Sequence, residues 1–315
     1  MTGRITGCGG SVFDLPPLLS WNLDYTGGVP CDSFSVTFPY ENGMAETLRQ
    51  ATGFEAVHQG KIVLRAIVDE YSIDLGPGGV TASLSGRGMA ARLLDNESQS
   101  VTYQDVTLAE LIRKHVSPYG ITVRETADLR AGSVYTVPAG ASQWRALEGF
   151  CRTYGAFLPR FTPEGDLLAA PEQDSGGRLL LGEGDLMLSC SLREDRYGVV
   201  TEALVIDKTR QTSYSVRNEE MIALGGQCRR VIYTPGQSTW DAMRYTGEYQ
   251  IKRSKEDQTT VTVRLPGSFL AFPGDIVSVD LPKMGLRKDL RVAEAENDFS
   301  PEKGAAVTLT LKERG

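Results

Sequence analysis

Ser33-Phe34-Ser35-Val36-Thr37-Phe38 alternates hydroxyl and apolar side chains and halts at Pro39. The stretch around it, Pro30 to Gly88, repeats the device. A polar segment, Glu41 to Thr52, reads as a loop. Gly60-Lys61-Ile62-Val63-Leu64-Arg65 and Ala66-Ile67-Val68-Asp69-Glu70-Tyr71 follow as two further strands. A Gly76-Pro77-Gly78-Gly79 turn leads into Val80-Thr81-Ala82-Ser83-Leu84-Ser85, closed by Gly86-Arg87-Gly88. Apolar side chains at every second position share one face of an extended chain, and Gly and Pro punctuate its ends. The stretch therefore reads as half-buried antiparallel strands.

A similar order of elements returns at the other end. Thr260 to Pro266 parallels Ser33 to Pro39 as an alternating strand stopped by proline. Phe272 to Val279 parallels Val57 to Leu64, Leu290 to Glu296 parallels Ala66 to Tyr71, and Ala305 to Leu311 parallels Gly79 to Ser85. The second copy carries an extra excursion, Pro282-Lys283-Met284-Gly285-Leu286. The match lies in element order and turn chemistry, with little identity. Duplication and the general sameness of β patterns are the two accounts. Under duplication the chain is mainly β, with two similar antiparallel β-barrel domains and an α+β insertion.

Ser20 to Tyr25 reads as a strand with Trp21, Leu23 and Tyr25 on one face, and Gly27-Gly28 as a turn. Met89 to Asp95 reads as a short helical connector, and a boundary falls in the polar segment Asn96 to Gln104. Thr107-Leu108-Ala109-Glu110 is a capping box, in which hydroxyl and carboxylate each satisfy an orphan amide. Leu108, Leu111, Ile112 and Val116 follow at helical spacing, ended by Ser117-Pro118-Tyr119-Gly120. Ile121 to Val123 reads as a strand. Ser142 is a plausible N-cap for a helix striped by Trp144, Leu147, Phe150, Cys151 and Tyr154, with Gly155 as its stop. A hairpin follows, turning at Pro163 to Asp166. Beyond the polar linker Gln173 to Gly177 come strands at 179–181, 187–190, 203–206 and 212–216. A helix capped by Ser238 or Thr239 carries Trp240, Met243, Gly247 and Ile251 on one face. Three parts are expected: residues 1–97 as a first barrel, 98–172 as a small two-helix α+β domain, and 173–315 as a second β domain with a helix and the C-terminal barrel.

The 315 residues are 41% hydrophobic and 23% charged, ordinary for a globular protein, and 34 Gly with 15 Pro suit many turns. The net charge of −7 argues against a protein that grips nucleic-acid phosphates. It is compatible with a channel through which nucleic acid slides. Cys8, Cys31, Cys151, Cys190 and Cys228 are scattered and odd in number, as expected of free thiols in a reducing compartment. Met1-Thr2-Gly3-Arg4 lacks an apolar leader core, and no run is long enough to span a bilayer, so a soluble protein of the cytoplasm at synthesis is expected.

Candidate chemistry is sparse. His58 and His115 belong to no metal-ligand motif, and structural or surface roles suit them. Asp69-Glu70 and Glu294 with Glu296 have the residue types of a glycosidase acid pair, but solvated strand faces carry such pairs by default. Gly86-Arg87-Gly88 and Gly76-Pro77-Gly78-Gly79 lack the Lys-Ser/Thr of a phosphate loop and read as tight turns. Arg229-Arg230 and Lys252-Arg253 with Lys255, the latter offset by Glu256-Asp257, read as solvated faces. No catalytic, cofactor-binding or metal-binding residue is therefore assigned, and a structural role is expected in place of an enzyme.

These residues support a resemblance. Cys31-Asp32-Ser33-Phe34-Ser35-Val36-Thr37-Phe38-Pro39, Gly60 to Val63, Val68-Asp69-Glu70, Leu84-Ser85-Gly86-Arg87-Gly88 and Leu94-Asp95 occur in the order and spacing of one family. Thr259 to Val263, Phe272-Pro273-Gly274-Asp275-Ile276-Val277 and Leu290-Arg291-Val292 extend it along nearly the whole chain. The chain resembles the baseplate hub proteins of contractile-tailed phages, of the late-control D type. That resemblance implies a homotrimer whose two barrels per subunit form a ring of six. The ring adapts the six-fold tail tube to a three-fold central spike. It implies contacts with the spike, with tail tube or tube-initiator proteins, with baseplate wedges and with the tape measure protein. The implied location is the tail baseplate of a phage or phage-tail-like particle assembled in the host cytoplasm. It implies no cofactor, no specific nucleic-acid binding and no stable membrane insertion.

Two other readings remain open: a carbohydrate-binding tail module, and the hub of a non-contractile tail. The former would show a row of exposed aromatics. Trp21, Trp144 and Trp240 are scattered instead, with Trp144 and Trp240 at core positions of predicted helices. In the hub reading the strand edges of Pro30 to Gly88 are committed to neighbouring barrels.

Overall fold

The computed structural model describes residues 1–27, 31–132, 134–171, 178–234, 240–255 and 258–313, and in it the alternation becomes burial. After β1 (Thr2–Gly7) and β2 (Val12–Asp14), β3 (Ser20–Thr26) buries Trp21, Leu23 and Tyr25. β4 (Ser33–Pro39) buries Phe34, Val36 and Phe38. The segment expected to be a loop holds α1 (Met44–Gln50) and the start of β5 (Ala51–His58). The helix buries only Leu48, so its apolar periodicity is too short to read. An ion pair between Arg49 and Glu46 at 2.6 Å braces its exposed side.

The two strands expected over 60–71 are one. β6 (Lys61–Gly76) pairs with β5 through Ile67, then with β7 (Gly79–Gly88). Its register shifts between Val68 and Glu70, leaving Asp69 as the extra residue of a bulge. Gly86-Arg87-Gly88 lies inside β7 and is not a turn. A Cβ on Gly86 would overlap the Ile67 carbonyl oxygen and sit 2.8 Å from the Phe34 ring, so close approach requires the glycine. The strands run β3-β4-β7-β6-β5-β1-β2, antiparallel throughout.

Next come α2 (Ala91–Leu94), β8 (Val101–Gln104), α3 (Leu108–His115), β9 (Val123–Thr126), β10 (Val134–Val137), α4 (Gln143–Phe150), β11 (Arg160–Phe161) and β12 (Leu167–Ala169). The capping box at Thr107 and Glu110 is formed, and the Ser142 hydroxyl accepts the Arg145 amide. Each such cap is worth about 1 kcal/mol. Leu108, Leu111, Leu147 and Phe150 pack as the core between the two helices and the short strands. The polar segment 96–104 contains β8, which pairs with β10, and the strand expected at 121–123 runs from 123 to 126, parallel to β12. Short strands with few apolar positions give no readable period. The left-handed residue after α4 is Ala156 (φ 54°), which follows a π-helical turn over Cys151–Gly155. A Cβ on Gly155 would instead meet Phe157 and Leu129.

The rest comprises β13 (Arg178–Gly182), β14 (Ser189–Glu194), β15 (Glu202–Asp207), β16 (Ser213–Arg217), α5 (Glu219–Ala223), β17 (Arg229–Thr234), α6 (Trp240–Lys255), β18 (Thr259–Pro266), β19 (Ile276–Leu281), β20 (Leu286–Ser300) and β21 (Gly304–Lys312). Neither α5 nor β17 was expected. β16-β15-β17 is a small sheet, and α6 packs on β15 and β16. Met243, Gly247 and Ile251 face inward as expected, whereas Trp240 is 58% exposed, touching only the edge of Tyr214 among the aromatic pairs. It stands at the first turn of α6, before the helix reaches the sheet's core. The turns and caps placed at Gly28, Ser238 and Thr239, the linker Gln173 to Gly177, and Pro30 and Glu256-Asp257 lie outside the described residues.

The repeated order is visible in the pairing. β4-β7-β6-β5 and β18-β21-β20-β19 are the same arrangement of four strands, flanked by β3 and β14 on one side and by β1 and β13 on the other. β1 is antiparallel to β5, whereas β13 is parallel to β19. The counterpart of β19 is β5, so the alignment of Phe272 to Val279 with Val57 to Leu64 was displaced toward β6. At 49% strand and 19% helix the chain is mainly β, but among the described residues no sheet closes into a barrel. Closure requires end strands to meet. Among the described residues β2 pairs with β1 alone, and β13 and β14 do not pair with each other.

The chain divides into two compact units. One is Met1–Gly176 with Leu265–Gly274 and Ala293–Thr308; the other is Gly177–Arg264 with Asp275–Val292 and Leu309–Gly315. Within the first unit the end of β20 pairs with β3, and Trp21 is stacked between Phe269 and Phe299.

Candidate functional site

Three features of the first unit carry side-chain chemistry. The bulge in β6 turns Asp69 toward Arg87 on β7. The guanidinium donates to Asp69 from Nε (2.7 Å) and Nη2 (3.0 Å), and to Asp95 from Nη1 (3.0 Å) and Nη2 (2.8 Å). The Arg87 hydrogen bond holds the Asp95 carboxyl below its ordinary value. This brings together the Val-Asp-Glu, Gly-Arg-Gly and Leu-Asp motifs, which the sequence presents as separate. The group is a clasp of the sheet onto the segment after α2, and both of its acids, Asp69 and Asp95, are engaged by Arg87.

Beside it is a cavity of about 70 Å³ lined by Thr26, Cys31, Asp32, Met89, Trp144, Glu148, Arg160 and Phe161 among others. Asp32 accepts the Thr26 amide (2.9 Å), and its backbone carbonyl accepts the Gly88 amide (2.7 Å). Burial pushes its carboxyl up to about 6, against a partly offsetting Thr26 hydrogen bond. Burial likewise pushes the Cys31 thiol up to about 11 and the Cys151 thiol to about 12, so neither is a ready nucleophile at neutral pH. All five cysteines are free.

The third feature is the two-sided ribbon formed by the ends of β6 and β7. One side shows Glu70, Ser72 and Asp74, continuing a polar face made by Ser33 and Ser35 of β4 and by Asn22 and Asp24 of β3. Glu296 of β20 lies opposite Asp24 on that face. The other side shows Tyr71, Ile73 and Leu75, opposite Leu84, Ala82 and Val80. Leu75 is 83% exposed, and Tyr71 and Ile73 are exposed as well.

The remaining sequence candidates are dispersed. The His58 ring rests on Phe269, with centroids 5.0 Å apart, and desolvation lowers its pKa. His115 is buried, with Nδ1 2.6 Å from Gln143 Oε1 and Nε2 2.9 Å from the Tyr103 hydroxyl. It stands at the end of α3 and ties that helix to α4, the structural one of the two roles expected for it. Glu294 and Glu296 face Thr26 and Asp24 across the β3–β20 ladder. Arg229 pairs with Glu202 (2.6 Å), and Lys255 pairs with Glu220 (3.0 Å). Among the described residues no group of three or more His, Cys, Asp or Glu could hold a metal. No helix there is long and apolar enough to cross a membrane. The cavity at Asp32 was missed because its walls come from five separated stretches, 26–27, 31–32, 88–90, 144–148 and 158–161.

No protein-family model and no curated protein matches the sequence. Solved structures do match. A tail protein from Neisseria meningitidis MC58 is 18% identical with a TM-score of 0.77, over 100% of this chain and 97% of that one. The 43 kDa tail protein of prophage MuSo2 from Shewanella oneidensis is 15% identical with a TM-score of 0.80, over 99% and 97%. An Escherichia coli type VI secretion component, itself similar in structure to phage T4 tail proteins, is 10% identical with a TM-score of 0.62, over 100% and 77%. The chain thus has the fold of phage tail proteins.

Proposed function

We propose that the chain is a structural baseplate hub of a contractile phage tail or phage-tail-like particle. The observation that carries this reading is a tail-protein fold shared end to end, with TM-scores of 0.77 and 0.80. The repeated strand order supports it: two similar six-strand modules per chain would give six around a homotrimer. One side of that ring would meet the tail tube or its initiator, and the other the three-fold central spike. Wedge and tape measure proteins would be further partners, in the tail baseplate. The three-part division, 1–97, 98–172 and 173–315, belongs to this proposal, supported in the middle by the capped helices and their own core.

The polar face with Asp24, Glu70, Asp74 and Glu296 suits a wall past which an anionic polymer slides without binding. The exposed apolar side of the ribbon suits burial in an assembly. The strands of Pro30 to Gly88 are paired on both sides for most of their length, so the ribbon, and not their edges, is the surface offered to a neighbour. The role is architectural and requires no catalytic group.

Mass measurement by light scattering, with electron micrographs of the purified protein, tests the proposal. A trimer with a central hole, alone or after adding its spike, is expected. A stable monomer that binds glycan under both conditions overturns it in favour of a carbohydrate-binding tail module.

A further inference from the structure

Asp32 is a partly buried carboxylate whose side chain accepts one hydrogen bond among the described residues, from the Thr26 amide at 2.9 Å. Among the described residues no Lys, Arg or His lies within ion-pair distance of it. Arg160, which also lines the cavity, donates to the Ala170 carbonyl (3.2 Å), and Glu148 adds a second negative group whose ion pair is with Arg152 (3.5 Å). A partly buried carboxylate with no ion-pair partner favours a proton or a cation. Trp144 and Phe161 line the same cavity, their ring centroids 6.0 Å apart, and Met89 and Leu158 supply apolar wall. The space, about 70 Å³, is enough for roughly two waters, or for an ammonium head with one or two methylenes. A carboxylate and aromatic side chains lining one small cavity are the chemistry that selects organic ammonium ions.

We propose that the Asp32 cavity is a binding site for a primary alkylammonium group, with the carboxylate pairing the head and Trp144 and Phe161 flanking its stem. The group has two possible sources, a free small amine or the side chain of a lysine presented by another protein. The site lies wholly within the first compact unit and does not depend on the assembly role proposed above.

The test is titration of the full chain with n-propylammonium at pH 7.5, where Asp32 is ionised, following the Thr26 amide and the Trp144 indole by NMR. Saturable shifts in the millimolar range are expected, with n-propanol giving none. Asp32→Asn is expected to weaken binding at least fivefold. Leu158→Trp, which fills the cavity while keeping the carboxylate, is expected to abolish it. Equal shifts with propanol, unchanged binding in a folded Asp32→Asn, or no saturation would overturn the proposal. If Asp32→Asn fails to fold, Leu158→Trp decides alone. Binding of Nα-acetyl-lysine methylamide as tightly as propylammonium assigns the site to a protein lysine; binding of propylammonium alone assigns it to a free amine.

Discussion

The Arg87 guanidinium holds the Asp69 carboxylate in two hydrogen bonds, Nε to Oδ2 at 2.7 Å and Nη2 to Oδ1 at 3.0 Å. Asp69 is the extra residue of the β6 bulge, and Arg87 also reaches Asp95. Surface ion pairs are worth about 0–1 kcal/mol, but a bidentate group serving two acids sits at the upper end. Arg87→Lys is expected to lose about 1 kcal/mol in urea denaturation. The loss should shrink in high salt, and a salt-independent loss would point to packing instead.

Gly86 faces the Ile67 carbonyl oxygen and the Phe34 ring with no room for a Cβ. Gly86→Ala must part β6 from β7 or displace Phe34, at a cost of about 3 kcal/mol or more. Gly78→Ala, with nothing within 4 Å, is expected to change stability by under about 0.5 kcal/mol. Equal effects in thermal denaturation would refute the close-approach account.

The Asp32 carboxyl titrates near 6 in the folded chain against 3.8 as its ordinary value. The folded state then holds the proton more tightly than the unfolded state. The carboxyl therefore costs nothing below about pH 4, and its penalty grows as pH rises through 6. The full penalty above pH 7 is about 2–3 kcal/mol. Asp32→Asn should be more stable than the parent at pH 7.5 and should lose that advantage toward pH 4. A difference between the two that is constant across pH would sink this assignment.

Tyr103, His115, Gln143 and the Glu97 carbonyl form a hydrogen-bonded chain. His115→Leu strands the buried Gln143 carbonyl and should cost about 2–3 kcal/mol; Tyr103→Phe should cost about 1. Amide exchange should quicken in α3 and α4 and not in β4 or β7. Uniform quickening would mean the chain does not act locally.

Leu75 and Ile73 project from the apolar side of the ribbon. Ile73→Asp with Leu75→Asp is expected to leave the melting temperature within about 2 °C and, under the proposed hub role, to remove the expected trimer in light scattering. A folded variant that still assembles would free this ribbon from the interface.

Local chemistry was legible wherever one short segment contained all of its own cause. Alternation in Trp21-Leu23-Tyr25 and Phe34-Val36-Phe38, and caps at Thr107 and Ser142, depend on neighbours within four residues. The repeated strand order was legible for the same reason, because it rests on successive turns. Long-range pairing decided the rest. Nothing local joins 60–65 to 66–71 as a single strand; β6 is continuous because β5 takes its first half and β7 its second. Gly86-Arg87-Gly88 looks like a turn until Ile67 lies across it. Barrel closure was inferred from strands whose ends, in space, do not meet. The Asp32 cavity exists only where the ends of β3 and β7, the start of β4, α4 and the hairpin of β11 converge, bringing Trp144 and Phe161 to a carboxylate more than a hundred positions away in sequence.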